Sequence, residues 1–295
     1  MGALAVALLV ACGGDVGQST FDDPDKLGSN GNGSSSPNLG NGSSDGGSGS
    51  DGGGTSNEPA TDVEVVITAD NAYAFGWGTE TQVSQLKGRP VTTGAADIFS
   101  CPVNTTGSGA SGFGPESYVV PAADAPTGAY LYVATWDDNS VTQGLLGQFK
   151  RKGSGSTLYT GNGAWEVCAT GDFYDSRPEY PSSSGPAMAT VNADIARCNA
   201  GTISTSKGSG GWVNPAGAVT AGAVGKLAVG EDNSSAGGSF PVTCQQDEQG
   251  NQGINASAKW MWYTPDSRDA FTARNTRSYL IFRLPTTALP PVTVQ

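Results

Sequence analysis

Apolar and polar positions alternate along this chain in short runs, each closed by a turn-forming residue, and that pattern predicts strands. Val63-Glu-Val-Val-Ile-Thr-Ala is rich in β-branched residues and ends at Asp70-Asn71, a turn pair. Ala129-Tyr-Leu-Tyr-Val-Ala-Thr-Trp136 combines aromatic and branched side chains and runs into Asp137-Asp138-Asn139-Ser140. Leu145-Leu-Gly-Gln-Phe149 reads as the return strand, and Tyr279-Leu-Ile-Phe-Arg-Leu284 as another, stopped by Pro285. A helical spacing occurs behind Pro186, where Val191 and Ile195 share one face and Asn199 to Gly201 would end the helix. Strands and helices do not alternate, so a parallel doubly wound sheet is not expected. Short strands separated by Gly, Pro and Asn turns predict an all-β fold over 61–295, an antiparallel β-sandwich with at most one short helix.

Ahead of residue 61 this pattern is lost. Residues 13–60 are dominated by Gly, Ser, Asn and Asp, with few side chains whose burial would offset the entropy of ordering. Such a segment is expected to behave as a flexible coil with a mean span of roughly 35–40 Å, reaching on the order of 150 Å when stretched. Before it lies an apolar run from Ala3 to Cys12, too short to span a bilayer as a helix. Its last four residues, Leu9-Val10-Ala11-Cys12, resemble a bacterial lipobox. The resemblance implies a signal peptide over 1–11, acyl groups on Cys12, and a tether over 12–60 that holds an exported domain to the cell envelope. Gly13 after Cys12, in place of Asp, implies the outer membrane under the common sorting rule. Met1-Gly2 supplies none of the basic residues that usually open such a signal.

Charge and composition narrow the chemistry. There are 15 Lys+Arg against 27 Asp+Glu, a formal charge of −12, so nucleic acid is not an expected partner. The chain has no histidine, which excludes Ser-His-Asp and Cys-His catalysis and every His-containing metal site. Of the five cysteines, Cys12 goes to the lipid. Cys101, Cys168, Cys198 and Cys244 then form an even set in an exported domain, and two disulfides are expected. Three connectivities are open. Pairing within each half of the sequence, Cys101–Cys168 and Cys198–Cys244, is the reading favoured by proximity. A four-cysteine metal site would lack any C-x-x-C pair.

The order of motifs resembles galactose-binding-like jelly-roll domains, such as those of exosortase-sorted surface proteins and rhamnosidase accessory modules. Ile67-Thr-Ala-Asp70-Asn71-Ala-Tyr73 is similar to their "ADN-x-Y" strand and turn. Tyr130 to Trp136, Gly144-Leu145-Leu146, and Gly163-Ala164-Trp165-Glu166 follow in the corresponding order. Ala258-Lys259-Trp260-Met261-Trp262 and Ile281-Phe282-Arg283 resemble the paired closing strands. The resemblance runs from about Val63 to Leu284, with gaps. It departs where family members have an "N-G" hairpin and this chain has Phe75-Gly-Trp-Gly-Thr. It implies a jelly roll whose ligands, when bound, sit in loops at one end.

Candidate contacts follow. Sugars are held by aromatic faces, with Asp, Asn and Arg bonding their hydroxyls. Trp77, between two glycines in an expected loop, and Trp212, behind Gly210-Gly211, are the candidate platforms, with Asp70 and Asn71 beside them. Trp165, Trp260 and Trp262 fit framework strands and are assigned to the core. Asp137, Asp138 and Asn139 form an oxygen-rich loop suited to a structural calcium ion, although Asp and Asn also populate turns for backbone reasons. The acids show no recognisable glycosidase pairing, and the glycines lack the GK[ST] ending of a phosphate loop. Three functions therefore compete: a surface-displayed carbohydrate-binding or adhesive module, a structural surface lipoprotein without a small-molecule site, and a glycoside hydrolase using paired carboxylates.

Overall fold

The computed structural model describes residues 60–87, 98–101, 103, 114–138, 140, 142–176, 184–235, 238–245, 253–272 and 279–292. These lie in the second of two units into which the chain divides, Thr55–Gln295. The strands are β1 (Val63–Asp70), β2 (Ala72–Thr79), β3 (Gln82–Lys87), β4 (Glu116–Val120), β5 (Tyr130–Trp136), β6 (Gly144–Arg151), β7 (Leu158–Tyr159), β8 (Glu166–Ala169), β9 (Val213–Asn214), β10 (Gly217–Ala218), β11 (Lys226–Asp232), β12 (Lys259–Thr264) and β13 (Leu280–Pro285). One sheet has the order β11-β12-β6-β1-β4, with β7 on β6, and the other the order β10-β9-β8-β13-β5-β2-β3. Each adjacent strand pair is antiparallel. The expected all-β sandwich is what forms.

Alternation along each strand sorts side chains between two faces. From β1, Val63, Val65, Ile67 and Ala69 point between the sheets, opposite Phe75, Val133, Leu280 and Phe282. The outer faces are covered as well. Over the seven-stranded sheet lies helix α1 (Met188–Ala200), whose Val191, Ile195 and Cys198 pack on Ala74, Ala134, Trp136 and Ile281. Over the six-stranded sheet, Ile98, Phe240 and Ile254 pack on Leu146 and Trp260. The helix follows Pro186 and ends where Gly201 takes a left-handed φ of 68° and returns its N–H to Arg197 and Cys198 carbonyls. Its carboxamide Asn192 also holds the outer edge of β3, accepting the Val83 N–H (2.7 Å) and donating to the Val83 carbonyl (3.0 Å).

The stretch Phe75-Gly-Trp-Gly-Thr, expected as a loop, is the second half of β2. Its glycines mark close backbone approach: a Cβ at Gly76 or Gly78 would run into β3 carbonyls, where the β2–β3 register shifts by a bulge. Both faces of β2 are buried, so it shows no polar alternation to reveal it.

Two disulfides form, as expected, but their pairing is Cys101–Cys244 and Cys168–Cys198, not the pairing within halves. Sequence halves do not map onto the sandwich. Cys168 lies in β8 beneath α1, which carries Cys198, so that bridge fastens helix to sheet. The other fastens the segment before Cys101 to the loop that carries Phe240. Each bridge therefore ties down one outer cover. Among the described residues, no helix is long and apolar enough to cross a membrane.

Candidate functional site

Two sites gather the polar side chains of interest. The first is at the end of the sandwich where β1 and β5 finish. Asp70 is 4% exposed, and its Oδ2 accepts the Thr142 hydroxyl at 2.7 Å. Burial pushes its carboxyl up to about 7, against the pull of that hydrogen bond, and the charges of Asp138 and Asp137 push the same way. Asn71 Oδ1 accepts the Asp138 N–H at 3.1 Å, and the Asp137 carbonyl accepts the Ser176 N–H. The fold thus brings together Asp70, Asn71, Asp137 and Asp138 from two separate turns, while Asn139 lies outside the described residues. Asp138 Oδ1 already accepts the Ser140 N–H at 2.8 Å. Among the described residues no three Asp, Glu or Cys side chains stand close enough together to share a metal ion.

The second site is a groove of about 640 Å³ beside the C-terminus of α1. Arg283, 5% exposed, forms its floor. Its guanidinium carbon lies over two rings, 4.0 Å from the Trp212 centroid and 5.3 Å from that of Tyr130. Nε donates to Glu166 Oε2 at 2.6 Å, and Nη1 to Asn199 Oδ1 at 2.9 Å. Asn199 Oδ1 also accepts the Trp212 indole N–H at 2.6 Å, and its Nδ2 donates to the Glu80 carbonyl. The Thr220 hydroxyl accepts the Trp212 backbone N–H and donates to the Cys198 carbonyl. Burial raises the Tyr130 phenol above its ordinary value, helped by the charge of Glu80 and opposed by that of Arg283. Over this fixed floor the Glu80 and Thr81 side chains stand exposed on the β2–β3 turn.

The chain matches no protein-family model, no curated protein and no solved structure.

The expected aromatic platforms do not form. Trp77 is 3% exposed and packs between the sheets, 5.9 Å from Phe75, because β2 continues through it as a strand. Trp212 is 1% exposed, one face taken by Arg283 and its N–H by Asn199. It lines the groove but presents no free ring. Trp165, Trp260 and Trp262 are buried as assigned. Cys12 lies outside the described residues. The residues that sequence reasoning passed over are Arg283, Glu166, Asn199, Glu80 and Thr81. One signal was available for the first: a lone arginine inside the apolar run Leu-Ile-Phe-Arg-Leu, which a buried strand accepts only when the charge is paired.

Proposed function

We propose that this chain is an exported, lipid-tethered binding module, displayed from the outer face of the cell envelope and binding carbohydrate in the Arg283 groove. The observation that supports this most is the exposed Glu80–Thr81 rim above a floor whose polar atoms are already fixed by one another. The Glu80 carboxylate and the Thr81 hydroxyl, which lies 3.2 Å from the Thr79 hydroxyl, suit a ligand rich in hydroxyl groups, recognised through hydrogen bonds and not through stacking. The acidic end holding Asp70, Asn71, Asp137 and Asp138 is the place proposed for a structural calcium ion. In the same reading Cys12 carries the acyl groups, and residues 12–60 give the domain its reach.

A glycan array probed with the full chain carrying Cys12→Ser, once with calcium and once with a chelator, tests the ligand. Binding that falls at least tenfold in Glu80→Ala and Thr81→Ala is expected. Binding unaffected by either substitution would remove the groove from the proposal, and equal binding with and without chelator would remove calcium from it. The anchor is tested separately: Cys12→Ser should move the protein from the membrane fraction to the soluble one, and continued membrane partitioning would overturn the lipid tether.

A structural or adhesive surface protein is the second reading. It is favoured by the burial of all six tryptophans, which leaves no tryptophan face open to a pyranose ring. An array with no binder under either condition would select it over the first.

A further inference from the structure

The two disulfides differ sharply in access. Cys168 and Cys198 are both fully buried, beneath the helix they fasten. Cys101 is exposed, and its partner Cys244 is 5% exposed. Both line an open groove of about 560 Å³ with Phe99, Pro241 and Val242. The Cys244 N–H bonds to the Phe99 carbonyl at 2.7 Å, so the two strands of chain that meet there are held by this bond and by one covalent link. Beneath them Phe240 stacks on Trp260 with centroids 4.0 Å apart.

We propose that Cys101–Cys244 is a thiol–disulfide exchange site, open to an external thiolate while the fold is intact, and that Cys168–Cys198 is not. Exchange requires a thiolate to reach one sulfur along the bond it breaks, and the exposed Cys101 side offers that approach. The thiolate forms a new S–S bond to Cys101, and Cys244 leaves as a thiolate. A second external thiolate then attacks the outer sulfur, releasing Cys101 as a thiolate and the external pair as a disulfide. The external thiol is oxidised and the protein disulfide reduced, with two electrons passing between them. The mixed disulfide on Cys101 is a modification in its own right, seated in the Phe99–Val242 groove. Release of Cys244 frees the clamp over the Phe240–Trp260 stack.

The test uses the full chain carrying Cys12→Ser, so that the four paired cysteines are the only ones present. The folded protein is incubated with reduced glutathione without denaturant, quenched with N-ethylmaleimide, and mapped by peptide mass. The expected result is a glutathione adduct on Cys101 and maleimide on Cys244, appearing at least about tenfold faster than any label on Cys168 or Cys198, while the β-sheet circular dichroism signal persists. Labelling of all four cysteines at one rate, labelling of Cys168 and Cys198 first, or labelling only as the dichroism signal collapses would each overturn the proposal. Hydrogen exchange gives a second reading. Protection should fall over 240–245 and stay high in α1, and unchanged protection over 240–245 would show that the bond clamps nothing.

Discussion

Asp70 has a proton affinity set by its position and not by its chemistry. A carboxyl buried at a sandwich end, with two more carboxylates nearby, binds its proton more tightly in the folded chain than in the unfolded one. The sign follows from linkage. The stability this group contributes is complete below its unfolded value of 3.8 and is lost as pH rises through about 7. On this account folding weakens between pH 4 and pH 8 by up to about 4 kcal/mol from this residue. Chemical denaturation at the two pH values in chelator should show the loss, and Asp70→Asn should abolish most of it. A variant with the wild-type pH slope would assign the effect elsewhere. The residue was legible as a turn former in "Ala-Asp-Asn", but its environment was not, because Asp137, Asp138 and Thr142 come from a different part of the chain. Arg283 is the converse case. Its charge was plain in the sequence, while Glu166, Asn199 and the two rings that accept it are 84 or more positions away for three of the four contacts, as the bonds to Glu166 (117) and Asn199 (84) illustrate.

At the level of elements, each outer cover depends on a short covalent link. The bridge Cys168–Cys198 closes a separation of 30 residues, and Cys101–Cys244 one of 143. In the chain-entropy description, opening them costs about 3.5 and about 5 kcal/mol respectively. Thermal unfolding of Cys168→Ala/Cys198→Ala and of Cys101→Ala/Cys244→Ala should therefore lower Tm in both, and more in the second. A larger loss in the first would mean that packing of α1, and not loop closure, decides the ranking. Strands β1, β5, β6 and β13 were legible because branched and aromatic residues end at clear turns. The helix was legible from Val191, Ile195 and Gly201. What escaped was β2, buried on both faces, and the disulfide pairing, which depends on which covers lie over which sheet. That information sits in contacts between distant segments, not in any local run.

The sandwich of the Thr55–Gln295 unit carries a cover on each broad face, and the two candidate sites lie at an end and in a groove, where loops from several elements meet. Single-segment reasoning about Trp77 and Trp212 failed for this reason: in a fold with both faces covered, large aromatic residues are needed inside, and rim positions fall to short polar side chains such as Glu80 and Thr81. The same closure has a lateral consequence at β3. An outermost strand ordinarily offers its N–H and carbonyl groups as a template for a neighbour. Here the Asn192 carboxamide occupies both groups of Val83, standing in for the strand that would come next. A strand from a second copy can therefore pair with this edge at Val83 only by displacing that carboxamide.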